Sequence, residues 1–170
     1  MTPAPFSPAL LALFVGMGIA TSTDLRSGRI PNALTGSMMV LGLVFALVQG
    51  AVVDAIFGIG LAFAIHFPLW LLRVVKAGDV KLLMGAGALV GPALVLEITV
   101  WCALLYLPVG LAMLAFQGRL GNIAATVKWG VSMARGVHMA RPEPTMLRTA
   151  PVIAAASLAA VSTSWFDLTW

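Results

Sequence analysis

The chain has 170 residues, of which 61% are hydrophobic and only 9% are charged, and its formal net charge is +4. Typical soluble domains have about 25% charged residues, so this composition excludes an ordinary soluble domain and favours lipid as the solvent for the apolar excess. The single cysteine, Cys102, excludes an internal disulfide framework and a zinc site built on several thiolates. We therefore predict an all-α, polytopic membrane protein with a single domain, residues 1–170.

The apolar segments are long enough for several membrane helices, each of which needs roughly 20 mostly apolar residues. They predict six spans, at about 6–23, 33–49, 53–72, 78–91, 93–116 and 149–166. The fourth and fifth come from one apolar stretch, which we divide at Gly91-Pro92 because proline interrupts a helix and restricts the residue before it. No basic residue precedes the first span, so we expect a retained anchor rather than a signal peptide.

The basic residues predict the orientation of these spans. All ten Lys and Arg side chains fall in three loops, at 24–32, 73–81 and 117–148. With six spans the three loops share one side, and positive charge favours the cytoplasmic side, so both termini should face outward.

In the third loop, apolar residues recur at helical spacing from Leu120 to Met139, which predicts a basic amphipathic helix on the cytoplasmic membrane surface.

Two of the six acidic residues, Asp24 and Asp79, lie where an apolar segment meets a basic loop. A carboxylate at this depth is costly unless it has a partner or a function. The predicted topology puts both at the cytoplasmic face, where they could be neighbours. Adjacent carboxyl groups tend to share one proton, so one can act as general base toward water while the other protonates a scissile carbonyl.

Each aspartate also has a purely structural interpretation. Asp24 could be an interfacial cap beside Arg26, and Asp79 a helix N-cap paired with Lys81. Spacing alone does not exclude these pairings.

Two other polar residues lie inside predicted spans. His66 has no Cys or His partner for a metal site and is assigned to packing or a helix–helix hydrogen bond. Glu97 is far from the inferred active face and is assigned as a packed or interface-reaching group.

The residues around the aspartates form two ordered motifs, Asp24-x-Arg26-x-x-x-Ile30-Pro31-Asn32 and Gly78-Asp79-x-Lys81-Leu82. Ile30-Pro31-Asn32 is typical of a turn in which Asn32 caps the next helix. The ordered pair resembles the prepilin peptidases, the GxGD-type aspartic membrane proteases, over the whole chain. It is similar to the short CpaA/TadV-like branch without the methyltransferase insert, which is associated with Flp-type (Tad) pili.

The resemblance implies that Asp24 and Asp79 are catalytic. It implies removal of the basic leader peptide from type IV (Flp/Tad-type) prepilins at the cytoplasmic face of the bacterial inner membrane. Expected partners are the prepilin, membrane lipids and, as a candidate, the pilus-assembly machinery; no cofactor, metal or nucleic acid is expected. Gly78, without a side chain, should let substrate backbone approach closely. The supporting motif residues are Arg26, Ile30, Pro31, Asn32, Gly78 and Lys81.

One position departs from the family pattern. Lys76 stands where the family has a glycine, three residues before the second aspartate. This substitution keeps open a catalytically inactive pilus-assembly subunit as an alternative. The other alternative is a small proton- or cation-coupled transporter component, which would favour acids near the bilayer midplane and paired broken helices.

Overall fold

The computed structural model describes residues 7–71, 75–116, 149–163 and, between the last two ranges, residues 128, 129, 131, 132, 135 and 136. Over these residues the regular secondary structure is helical throughout, which confirms the predicted all-α class. The helices are α1 (Pro8–Ser27), α2 (Asn32–Gln49), α3 (Val52–Leu71), α4 (Ala77–Phe116) and α5 (Ala150–Thr163).

Four stretches of the described helices are long and apolar enough to cross a membrane: α1, α2, α3 and Ala77–Tyr106 within α4. Large apolar side chains such as Leu47 and Val48 are exposed on them, as a lipid-facing surface requires. These features support the predicted polytopic membrane protein. The described part of α5 is apolar but has 14 residues, and the count of six spans stays a prediction.

The ends of α1 are fixed by local capping. At its start the Ser7 hydroxyl accepts a hydrogen bond from the Leu10 N–H at 3.2 Å, and Pro8 takes the first helical position. At its end Gly28 adopts φ 67°, and its N–H donates to the Asp24 carbonyl oxygen at 2.9 Å. The helix therefore stops one turn after Asp24, which places this carboxyl group at the end of the helix.

Helix α4 is interrupted at Gly91, where φ is 72° and ψ is −179°. This backbone conformation favours glycine, and Pro92 follows it directly. The candidate span Ala77–Tyr106 has 30 residues, or about 45 Å of helix, against a hydrocarbon core of about 30 Å. The predicted discontinuity is confirmed, and two separate crossings in this stretch stay a prediction.

Small residues let the first part of α4 pack directly against the backbones of α2 and α3. A Cβ atom on Gly42 of α2 would lie 2.5 Å from the Ala88 carbonyl carbon. Gly58 of α3 and Gly87 of α4 face one another so closely that a Cβ on either would overlap the other's backbone. Such contacts are typical of membrane helices, whose association relies on close backbone approach.

The chain divides into two compact units, one formed by Met1–Ala103 with Arg148–Trp170 and the other by Leu104–Leu147. The motif residues and α5 all belong to the first unit. In the second, residues 128, 129, 131 and 132 are helical and residues 135 and 136 form a turn. The rest of the predicted amphipathic helix lies outside the described residues, as do residues 164–166 of the predicted sixth span.

Candidate active site

Asp24 and Asp79 come from different helices and are both buried, each with 1% of its surface exposed. Asp24 lies in the last turn of α1 and Asp79 in the first turn of α4. Their hydrogen-bonding partners include one residue common to both, Lys76. We call the two carboxyl groups and their partners the aspartate site: Asp24, Asp79, Lys76, Thr149 and Ala150. The structure thus brings the two motif aspartates into one buried polar cluster.

Asp79 is held by groups at the starts of two helices. The Lys76 backbone N–H, which precedes the first helical residue of α4, donates to Asp79 Oδ2 at 3.0 Å. A side chain that reaches back in this way is one half of a capping box, so the helix start itself fixes the rotamer. The Thr149 hydroxyl lies 2.7 Å from both Asp79 Oδ1 and Asp79 Oδ2.

Asp24 has two donors. The Lys76 ammonium Nζ lies 3.3 Å from Asp24 Oδ1, forming an ion pair, and the Ala150 backbone N–H donates to Asp24 Oδ2 at 3.2 Å. The first N–H groups of a helix have no partner within that helix. Asp24 accepts one of these from α5, so the end of α1 is tied to the start of α5.

Lys76 contacts both carboxyl groups, by its backbone to Asp79 and by its side chain to Asp24. Its side chain is 31% exposed, whereas Asp24 is buried. The residue that departs from the family pattern is therefore part of the aspartate site, and its ammonium lies beside Asp24.

Thr149 and Ala150 are site residues that the sequence motifs did not indicate. Their only sequence signal is a threonine placed just before an apolar segment with Pro151 near its start, which is a helix-start pattern. The structure bears out that start, since the N–H groups of Val152 and Ile153 donate to the Thr149 carbonyl oxygen. Nothing local shows that the Thr149 hydroxyl reaches Asp79, because that contact is made between distant parts of the chain.

The supporting motif residues do not make the predicted local pairings. Arg26 is exposed, and the ion pair of Asp24 is made with Lys76 instead. Lys81 donates to Asn32 Oδ1 at 2.9 Å rather than pairing with Asp79. The ion pairs with Arg26 and Lys81 therefore do not form, although Asp79 does make a capping contact at the start of its own helix.

The predicted capping role of Asn32 is wrong. Pro31 occupies the N-cap position with φ −63° and ψ 134°, and the cap makes no side-chain hydrogen bond. Asn32 is the first residue of α2, and its side-chain oxygen accepts from Lys81. The amide therefore ties the start of α2 to α4 instead of closing its own helix.

Gly78 makes a packing contact in the structure, and the expected approach of substrate backbone stays a prediction. A Cβ atom at this position would lie 3.3 Å from Ile30 Cβ, so the space beside the glycine is filled by that side chain. The missing side chain thus permits contact between the loop after α1 and the start of α4. The first motif and the second motif are packed together at this point.

Three further buried titratable residues lie inside the described helices: His66, Glu97 and Cys102. His66 is buried, and its Nδ1 lies 2.8 Å from the Ala62 carbonyl oxygen of the same helix, as the packing assignment predicted. Glu97 and Cys102 are buried in α4. Among the described residues, no group of three or more His, Cys, Asp or Glu side chains is arranged to hold a metal ion.

Two buried carboxyl groups, brought together by the ends of apolar helices, define a membrane-embedded protein with a carboxyl pair as its candidate active site. Residues 11–111, which include both aspartates, match the model of the type IV leader peptidase family. Because this match covers more than half of the chain, the protein belongs to that family.

The chain is also similar to the prepilin leader peptidase/N-methyltransferase of Escherichia coli (strain K12). The two are 30% identical over 131 residues, a match that covers 69% of this chain and 52% of the relative. The chain thus spans about half the length of this curated relative. No solved structure matches the chain significantly.

Proposed function

We propose that this protein is an intramembrane aspartic endopeptidase that removes the leader peptide from a type IV prepilin, with Asp24 and Asp79 as its catalytic pair. The observation that carries the proposal is the burial of both carboxyl groups around the shared partner Lys76. Membership of the type IV leader peptidase family supports the reaction class.

The chemistry follows from placing two acids in one buried cluster. Two neighbouring carboxyl groups cannot both ionise cheaply, so the pair holds one proton between them. The ionised member takes a proton from water, and the protonated member supplies one to the carbonyl oxygen of the peptide bond. No further group is needed for this reaction.

The substrate that fits best is a Flp/Tad-type prepilin with a basic leader and an apolar helix. Both aspartates lie at helix ends adjoining basic loops, and the charge distribution favours the cytoplasmic side for those loops. A basic leader is repelled by these loops, so the prepilin approaches the pair through its apolar helix within the lipid.

The placement of the acids argues against the transporter alternative. Transport sites lie near the bilayer midplane, at the junctions of broken helices. Asp24 and Asp79 lie instead in a last and a first helical turn, whereas the break in α4 is at Gly91.

The test is co-expression with a Flp-type prepilin from the same genome, with leader removal followed by the change in pilin mass. We expect the unmodified protein to remove the leader, and Asp24→Asn and Asp79→Asn each to abolish cleavage, because each acid has a separate role. Asp54→Asn is the matched control, since Asp54 lies in the first turn of α3 outside the aspartate site.

Cleavage that survives either catalytic substitution would rule out the carboxyl pair. A complete lack of cleavage by the unmodified protein, on its own pilin and at normal membrane levels, would favour the inactive assembly subunit.

A further inference from the structure

Lys76 makes the two aspartates chemically unequal, because its ammonium contacts one of them and its backbone the other. We propose that Lys76 is a positioning residue that keeps Asp24 as the ionised base and thereby leaves the shared proton on Asp79. This inference rests on the proposed function, and it assigns each carboxyl group its step in the reaction.

The carboxylate form of Asp24 depends on a nearby cation more than that of an ordinary aspartate does. It is buried in the last turn of α1, where the helix dipole presents its negative end. Its described partners, the Lys76 ammonium and the Ala150 N–H, are donors only. Both therefore stabilise the carboxylate form.

Asp79 has a partner that accommodates a proton. The Thr149 hydroxyl, 2.7 Å from both carboxyl oxygens, can accept a hydrogen bond as well as donate one. Oδ2 accepts the Lys76 N–H, so Oδ1 is the oxygen that can carry a proton directed at Thr149. The N-terminus of α4 acts like roughly half a positive elementary charge, which favours an ionised Asp79. This is less than the full positive charge of the ammonium beside Asp24.

Among the described residues, the helices that contribute to the site or pack near it differ in the charged groups they carry, and Lys81 on α4 donates to Asn32. Helices α2 and α5 contain no acidic, basic or histidine side chains, and Arg26 on α1 is exposed. Within the described residues, Lys76 is the basic side chain that forms an ion pair with Asp24.

The assigned reaction balances. Asp24 accepts a proton from water as the water oxygen bonds to the carbonyl carbon, and Asp79 gives its proton to the carbonyl oxygen. The proton on Asp24 then passes to the peptide nitrogen as the carbon–nitrogen bond breaks, and a hydroxyl proton of the intermediate returns to Asp79. One water is consumed, both carboxyl groups regain their starting states, and Lys76 stays protonated.

The first test is the pH dependence of kcat/KM for leader cleavage by purified protein. Lys76→Met removes the ammonium but keeps the backbone N–H that binds Asp79. Because this variant lacks the charge that lies 3.3 Å from Asp24 Oδ1, we expect the acidic limb of the profile to move to higher pH. In Lys76→Arg, which keeps the charge, the acidic limb should stay at the pH found for the unmodified protein.

Lys76→Gly, which introduces the family's glycine, should shift the acidic limb as Lys76→Met does, because both remove the charge. A lower rate with an unmoved acidic limb in both variants would show a merely structural role and overturn the proposal.

The second test needs no activity, so it separates this inference from the proposed function. Infrared spectra of the purified protein should contain the C=O band of a protonated carboxyl group. They are measured in a Glu97→Gln background, which removes the third buried acid of the described residues. Thr149→Val should shift this band, because the hydroxyl contacts Asp79 and not Asp24. A C=O band whose position is unchanged in Thr149→Val, or no such band at neutral pH, would overturn the assignment even if cleavage is observed.

Discussion

At the scale of single residues, the aspartate site is oriented by backbone groups as much as by side chains. Asp79 accepts the N–H at the start of its own helix, and Asp24 accepts the N–H of Ala150 at the start of α5. Backbone donors are fixed by the helices that carry them, so the carboxyl groups need little reorganisation when a substrate binds. Both aspartates were evident from the sequence motifs, whereas their α5 partners were not.

Thr149 should contribute to the rate through Asp79. We expect Thr149→Val to lower kcat roughly 2- to 10-fold with little change in KM, because a hydrogen bond to a neutral carboxyl group is worth about 0.5–1.5 kcal/mol. Valine keeps the shape and the helix start, since the Thr149 carbonyl makes the capping contacts. The measurement is steady-state leader cleavage in detergent.

Two variants control this experiment. Thr149→Ser keeps the hydroxyl and should retain most of the activity. Thr99→Val removes a hydroxyl that bonds only to the carbonyl of Val95 in its own helix, and it should leave kcat unchanged. Equal losses in Thr149→Val and Thr99→Val would mean that the effect is not transmitted through Asp79.

At the scale of helices, the start of α4 is positioned by glycine contacts along its length. Gly42 and Gly58 let α2 and α3 approach its backbone, and Ile30 packs against Gly78 beside Asp79. The sequence predicted the break at Gly91 because Pro92 acts locally. It could not show which glycines face α4, since α2 and α3 carry several glycines whose packing partners depend on helix orientation.

A methyl group in the α3–α4 contact should therefore separate the two helices. We expect Gly58→Ala to destabilise the protein by about 1–3 kcal/mol, because its Cβ would overlap the backbone of Gly87. Gly60→Ala on the same helix meets nothing within 4 Å and should be neutral or slightly stabilising. Thermal unfolding in detergent checks both variants, and equal midpoints would contradict the close contact.

At the scale of the whole molecule, the distribution of charge predicts orientation. Every Lys and Arg falls in one of three loops, so both termini should lie outside the cytoplasm and the loop 73–81 inside it. We expect alkaline phosphatase fused after Trp170 to be active and a green fluorescent protein fusion there to be dark. The opposite pattern would place the C-terminus in the cytoplasm and contradict the predicted topology.

The sequence by itself determined the class of protein, the two aspartates and their motifs. Composition, the length of the apolar segments and the order of the motifs can all be recognised without knowledge of tertiary contacts. It also located the break in α4 through its proline. Tertiary structure alone decided that Thr149 and Ala150 join the aspartates, that Asn32 pairs with Lys81, and that Lys76 lies against Asp24. These contacts join distant segments, and their geometry depends on how the helices pack rather than on any local pattern.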